Sequence, residues 1–183
     1  MNRTLVSIPT SILENLKAGN KQAQRTFYMT EYDRLVRISL KYVKTKNEAI
    51  TIVNDSFMKI FKTIKSLKEE EKLREWTAAI TRNTTLDYVR KRVTYDRRHT
   101  EIDEHVDVSI TVNKALESLS MEDILKQVHS LKDKERIVFC MYAIDGYKHV
   151  DIANLLKISE GTSKWYLNKA RKNLQLILKP YMS

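Results

Sequence analysis

The sequence predicts an all-α protein of two small helical domains joined by a flexible acidic linker. A length of 183 residues allows one medium domain or two small ones. The 3 Gly and 2 Pro are too few for the tight turns of a sandwich, barrel or propeller. Apolar residues recur with helical spacing in two blocks, and at 42% of the chain they can fill a core.

The distribution of charge suggests where the domains end. Residues 1–95 carry 19 Lys and Arg against 10 Asp and Glu, residues 96–118 carry 3 against 6, and residues 119–183 carry 11 against 7. The middle block lacks helical periodicity and is rich in β-branched residues, so we expect an extended linker there. The sequence thus predicts domains at 10–95 and 119–180, with the linker at 96–118.

The first block predicts three helices before its basic segment. Ser11 begins a capping-box pattern that starts a short helix, and Gly19 lies just past the end of that helix. A helical repeat of apolar residues then runs from 22 to 42. A third helix follows, because residues 49–64 carry a continuous apolar stripe with charged residues on its other side.

A charged connector at 67–72 separates these helices from a long fourth one, predicted from about Leu73 to Val93. Its inward candidates are Trp76, Ala79, Ile80, Leu86, Val89 and Val93.

The second block predicts shorter helices that end in a helix-turn-helix. The expected segments are 121–128, 134–144, 149–156 and 160–178, with a turn at Asp145-Gly146 and Ser159 capping the last helix. Ala153 is small, so the last two helices can cross closely, and the short connector between them fixes a steep angle. The first turns of the last helix are then expected to be exposed to the DNA major groove. The alternative is an ordinary helix pair with a solvated basic face.

The long helix of the first block carries a second basic cluster. Basic groups interleaved with aromatic rings suit a single-stranded or melted nucleic acid, whose phosphates need neutralising and whose bases stack. A solvated helix face with i,i+4 ion pairs would look similar. The candidate residues are Arg82, Asn83, Asp87, Arg90 and Lys91.

Several other classes are excluded or disfavoured. One Cys rules out a disulfide framework or a cysteine-built zinc site, and the four His are scattered, so we expect no metal or cofactor. Cys140 lies in an apolar run and is expected to be a buried structural thiol. No Gly-rich phosphate loop occurs, so we expect no enzyme. The longest uncharged apolar run is far too short to span a bilayer and no secretory signal precedes it, so we expect a cytoplasmic protein without membrane insertion.

Three segments resemble the extracytoplasmic-function (ECF) group of the bacterial sigma-70 family of RNA polymerase sigma factors. AITIVNDSFMKIF, at 49–61, resembles the pattern A-E-D-x-V-Q-[DE]-x-F. WTAAITRNTTLDYVRKR, at 76–92, resembles W-L-x-x-I-A-R-N-x-x-x-D-x-x-R-[KR]-[KR]. Residues 131–174 resemble region 4 of the family. The chain departs from the family pattern at Ile50, Thr51, Asn54, Lys148 and Trp165, the last standing where Ser is frequent.

This resemblance implies a non-catalytic initiation factor. The first domain would dock on the clamp helices of the β′ subunit of core polymerase through Asn54, Asp55, Met58 and Lys62. Its basic helix would read and help melt the −10 element. The second domain would seat on the β flap, and an anti-sigma factor is a further expected partner. At the −35 element the last helix would place Thr162, Ser163, Lys164, Tyr166, Lys169 and Arg171.

Two rival functions remain open from the residues alone. A stand-alone transcriptional regulator could combine the same helix-turn-helix with a helical domain that binds another partner. A nucleic-acid chaperone or structural RNA binder would also need the net charge of +10.

Overall fold

The computed structural model describes residues 11–95 and 121–178. Secondary structure within these ranges is helical, without a strand, which confirms the all-α prediction. The predicted linker at 96–118 and the two chain ends lie outside the described residues. The α-helices are α1 (Ile12–Lys17), α2 (Lys21–Leu40), α3 (Lys46–Thr63), α4 (Leu73–Tyr95), α5 (Met121–Ser130), α6 (Asp133–Phe139), α7 (His149–Leu156) and α8 (Glu160–Leu178).

The described residues divide into two compact units. The first holds the described residues through Ser39 together with Lys46–Thr85. The second holds Leu40–Thr45 and the described residues from Leu86 onward. The domain limits of 10–95 and 119–180 stay a prediction, because the segment that should separate those domains is not described.

Local sequence explains how the first unit begins. The Ser11 hydroxyl accepts a hydrogen bond from the Glu14 backbone N–H at 3.1 Å, so the predicted cap of α1 is confirmed. Gly19 takes a φ of +74°, a conformation that glycine adopts without steric cost, and the chain turns there into α2. The predicted apolar stripe of α3 is also confirmed, because Ala49, Val53, Phe57 and Ile60 are buried.

The buried face of α4 is not the one predicted over its first half. Trp76, Ala79 and Ile80 are partly exposed, whereas Thr77 and Thr81 are fully buried. The prediction was wrong here because it chose inward candidates among the apolar residues alone. Leu86 and Val89 are buried as expected, and the side chain of Val93 lies outside the described residues.

Hydroxyl hydrogen bonds make burial of Thr77 and Thr85 on this face favourable, whereas the Thr81 hydroxyl is buried without a hydrogen-bond partner among the described residues. The Thr85 hydroxyl bonds the Thr81 carbonyl oxygen at 2.7 Å and pairs with the Ser39 hydroxyl at 3.1 Å. The Thr77 hydroxyl accepts from the Arg34 guanidinium at 2.9 Å. Buried hydroxyls that are hydrogen-bonded avoid the desolvation cost of unpaired ones, so a face without large apolar groups can still pack.

The second unit is built on α8. Helices α6 and α7 both pack against it, and its buried residues include Leu167, Ala170 and Leu174. The chain leaves α6 through a π-helical turn, Cys140–Ile144. At the connector between α7 and α8, Lys157 takes a left-handed conformation with φ 55°, and the Ile158 N–H bonds back to the Ala153 carbonyl oxygen at 3.1 Å. These contacts form the short connector that the sequence predicts between the two helices.

The segment Leu40–Thr45 is bound into the second unit by buried polar contacts. The Arg136 guanidinium is 2% exposed and donates to the Tyr42 carbonyl oxygen at 3.2 Å. It also pairs with Asp133 at 3.1 Å. Asp145 accepts from the Tyr42 hydroxyl and from the Lys41 ammonium.

The thiol of Cys140 lies against the same segment and donates to the Lys41 carbonyl oxygen at 3.2 Å. Burial raises the pKa of this thiol to about 12. A thiol that stays protonated in the physiological range is a poor nucleophile, and the prediction of a buried cysteine is confirmed.

Candidate nucleic-acid interface

The outward face of α8 carries most, but not all, of the predicted DNA-contacting residues. Lys164 is exposed, and Thr162, Lys169 and Arg171 are partly exposed. Ser163 and Tyr166, in contrast, are 0% and 7% exposed. The expectation that these two side chains are exposed was wrong.

Helical periodicity explains this correction. Successive residues of an α-helix are rotated by about 100°, so Ser163, Tyr166 and Ala170 fall on the same side as Leu167. That side faces the core of the unit. The Ser163 hydroxyl bonds His149 Nδ1 of α7 at 2.9 Å, which ties the two helices of the helix-turn-helix together.

Sequence reasoning missed two outward residues of α8, Asn168 and Lys172, and left open whether Trp165 packs in the core or alters base preference. Trp165 and Asn168 are partly exposed and Lys172 is exposed, and all three lie opposite the buried face. The sequence alone could have identified these outward positions, because they lie opposite Leu167 and Ala170 on a helical wheel.

The start of α8 is capped as predicted. The Ser159 hydroxyl accepts from the Thr162 N–H at 3.0 Å. One turn later the Lys164 ammonium lies 2.8 Å from the Glu160 carboxylate, and this hydrogen bond lowers the pKa of Glu160. Exposed i,i+4 pairs of this kind are weak, so Lys164 can exchange the carboxylate for a DNA phosphate at little cost.

His149 is a titratable group at the contact between the two helices of the helix-turn-helix. Its ring stacks on Tyr142 with centroids 4.5 Å apart, and the Arg171 guanidinium lies 5.7 Å from the centre of the Tyr142 ring. Burial lowers the pKa of His149, and the positive charges of Lys164 and Arg171 lower it further, while Glu160 raises it. The sequence predicted only a surface or linker role for this histidine.

This arrangement predicts a pH-dependent stability of the second unit. Between the unfolded-state pKa near 6.5 and the lower native value, the unfolded chain binds the proton and the native chain does not. The free energy of unfolding should therefore fall as the pH is lowered from 7.5 towards 5.5. In the His149→Gln variant this decrease in the free energy of unfolding should be smaller. Urea titrations of wild type and variant at pH 7.5 and at pH 5.5 measure it. Part of the fall should remain, because the pKa of His129 is also lowered, mainly by burial. An identical pH dependence in wild type and variant would contradict the assignment.

The second candidate surface is the outward side of α4. Asn83 and Lys91 are exposed, and Arg82, Asp87 and Arg90 are partly exposed. The Arg90 guanidinium pairs with the Asp87 carboxylate at 2.9 Å, one turn apart on the helix. Helical spacing puts Trp76 on the side of Asn83 and Arg90, which gives this basic face an aromatic ring. This face thus combines positive charge, which binds phosphates, with an aromatic ring on which the bases of a melted strand can stack.

The third predicted surface lies on α3. Asn54, Asp55 and Lys62 are exposed, and the Met58 side chain is 72% exposed. The structure adds Tyr28 of α2, whose hydroxyl donates to Asn54 Oδ1 at 3.0 Å. An exposed methionine surrounded by polar groups is typical of a protein-binding face rather than of a nucleic-acid site.

Within 11–95 and 121–178, no group of three His, Cys, Asp or Glu side chains is placed to hold a metal ion. No helix in this part of the chain is both long and apolar enough to cross a bilayer.

A helix-turn-helix with an exposed cationic face, and a second cationic helix elsewhere in the chain, define a nucleic-acid-binding protein of the helix-turn-helix class. A family model described as "ECF sigma factor" matches residues 7–179. The chain belongs to this family, the ECF group of RNA polymerase sigma factors.

Named relatives are similar over nearly their whole length. An ECF RNA polymerase sigma-E factor of Haemophilus influenzae is 21% identical, with 94% of this chain and 96% of that protein covered. The ECF RNA polymerase sigma factor SigW of Bacillus subtilis is 23% identical, with 89% and 92% covered. Among solved structures, the sigma factor RpoE in complex with the anti-sigma factor NepR from Bartonella quintana is 22% identical, with a TM-score of 0.47 and with 85% and 96% covered.

Proposed function

We propose that this protein binds core RNA polymerase as an ECF sigma factor and directs promoter-specific initiation of transcription. The observation that carries the proposal is the family match across residues 7–179, which includes every candidate surface. The stand-alone regulator is not favoured, because the family match extends over the first unit as well as the helix-turn-helix.

The outward side of α4 is assigned to the −10 element. Arg90 and Lys91 neutralise phosphates there, while Asn83 and Asp87 offer hydrogen-bonding groups to an unpaired base. Arg82 contributes a third positive charge. Extruding a base costs a few kcal/mol, so this helix acts only when the polymerase supplies further contacts.

The outward side of α8 is assigned to the −35 element. Lys164 and Lys169 bind phosphate or guanine, Thr162 binds near the helix start, and Arg171 lies further along the helix. Ser163 and Tyr166 support this face from inside the unit. The earlier helices of the second unit would seat on the β flap.

The face of α3 with Asn54, Asp55, Met58 and Lys62 is assigned to the β′ clamp helices. Tyr28 belongs to this surface because its hydroxyl holds the Asn54 side chain. The protein itself carries out no chemical step and uses no cofactor. It would act in the cytoplasm, where the polymerase is, and an anti-sigma factor would restrain it, as NepR binds RpoE in the related complex.

Reconstituted transcription tests this function. Purified core polymerase is supplied with a promoter library with and without the protein, and transcripts are sequenced. The proposal predicts specific start sites only when both are present, and weak binding of the protein alone to duplex DNA. A sharp, sequence-specific gel shift by the protein alone would support the stand-alone regulator instead. Salt-sensitive binding without any start-site selection would support the RNA binder.

Asp55→Ala should weaken association with core polymerase by roughly tenfold, because a contact worth about 1.4 kcal/mol is lost from the interface. Competition against a labelled wild-type chain for core polymerase measures this change. Asp33→Ala, which removes an exposed carboxylate from α2 of the same unit, is the matched control and should compete normally. Equal competition by both variants would refute the assignment of the α3 face.

A further inference from the structure

The environment of Trp165 on α8 has no explanation in the core of the second unit. The buried residues of α8 lie on the opposite side of the helix, and Trp165 is partly exposed beside Lys164 and Asn168. Large aromatic side chains usually pack in a core or lie at a binding interface. The Trp165 ring lies on the outward side of the helix assigned to DNA, with Lys164 and Asn168 as neighbours. This position indicates that the ring contacts a ligand.

Two neighbouring side chains hold this ring in place. The Tyr166 ring meets it in a T-shaped contact with centroids 4.9 Å apart and planes at 69°. The Lys169 ammonium lies 4.5 Å from the centre of the Trp165 ring, within cation–π range. Because Tyr166 is itself buried, it links the indole to the packed side of the helix. The exposed part of the ring is thus preorganised.

The major groove offers one distinctive apolar group, the C5-methyl of thymine. Lysine and asparagine next to the ring can bind phosphate, guanine or adenine through ionic or bidentate hydrogen bonds. The indole has a single N–H donor and otherwise presents an apolar surface. We propose that Trp165 contacts a thymine methyl group in the −35 element and so sets the base preference at that position. This inference depends on the proposed role of α8 at the −35 element and adds a specificity-determining residue to it.

Removing only the methyl group tests the contact. The −35 element is first selected from a random library by the wild-type holoenzyme. Each thymine is then replaced in turn by deoxyuridine, and holoenzyme binding is measured. At one thymine the wild type should lose about three- to fivefold in affinity, which is the contribution of one buried methyl. Trp165→Ser should not respond to deoxyuridine at that position and should respond like wild type elsewhere.

Two further variants separate a base contact from a structural role. Trp165→Phe keeps an aromatic ring and should keep the methyl response. Leu176→Ser removes another exposed apolar side chain from α8, 71% exposed in the structure, and should leave every response unchanged. A role in folding alone would weaken binding to all duplexes equally.

The inference would be overturned by a selected element without thymine, or by wild type and Trp165→Ser responding alike at every thymine. These results differ from failure of the proposed function itself. In that case the wild-type holoenzyme would show no dependence on any −35 sequence.

Discussion

Arg136→Ala is expected to lower the free energy of unfolding of the second unit by about 2–5 kcal/mol, the range observed when a large buried side chain is truncated to alanine. The guanidinium is almost completely buried and serves both the Tyr42 carbonyl oxygen and the Asp133 carboxylate. Its removal takes this donor from the Tyr42 carbonyl oxygen and opens a cavity. The Asp133 carboxylate loses one cationic partner and keeps another, the Lys44 ammonium at 3.2 Å.

The sequence provides a way to follow this unit separately. Of the 2 tryptophans, Trp76 lies in the first unit and Trp165 in the second, so fluorescence in a Trp76→Phe background reports the second unit. Urea unfolding of the Arg136→Ala variant in that background gives the change in free energy. Lys132→Ala removes an exposed basic residue four positions earlier and should shift it by less than about 0.5 kcal/mol. A shift below about 1 kcal/mol for Arg136→Ala would contradict its assigned role.

Arg90→Ala is expected to slow promoter opening by about 10- to 100-fold without changing the affinity for core polymerase. The guanidinium lies on the outward side of α4, and its partner in the free protein is the i−3 carboxylate of Asp87. Such an exposed pair is easily exchanged for a phosphate or a base. Losing a good guanidinium contact costs about 1–3 kcal/mol, which gives the expected range.

Fluorescence of 2-aminopurine in the −10 element measures opening, and competition for core polymerase measures binding. Arg25→Ala removes an exposed arginine from α2 and is expected to behave as wild type in both assays. Arg90→Lys distinguishes charge from shape, because lysine keeps the charge but not the planar fork. Reduced core binding by Arg90→Ala would move this residue to the polymerase interface. Normal opening would remove it from the −10 surface.

The sequence was sufficient where local rules and global packing agree. The cap at Ser11, the apolar stripe of α3 and the cap of α8 each follow from side-chain chemistry within one turn of helix. The same reasoning placed the charged residues of α3 on its exposed side, whereas Asn54 and Met58 were selected by the family resemblance. It also located Lys164, because a charged residue in the first turns of an amphipathic helix is usually solvated.

The sequence was insufficient where packing depends on distant partners. Thr77 and Thr85 are buried because Arg34 and Ser39 satisfy their hydroxyls, and those partners are more than 40 positions away. The binding of residues 40–45 by Arg136 is likewise a contact across 94 positions. Ser163 and Tyr166 were wrongly predicted to be exposed for a different reason. The prediction did not compare their positions on the helical wheel with those of the apolar residues of α8.

Cys140 has a practical consequence, because the chain contains only 1 cysteine. Its thiol is sealed beneath the Lys41 carbonyl, so a maleimide or disulfide reagent can modify it only when residues 40–45 move away or the second unit unfolds. The rate at which the reagent modifies Cys140 thus reports how often residues 40–45 move away or the second unit unfolds. No engineered label is needed to compare that frequency in the free protein, in the holoenzyme and on a promoter.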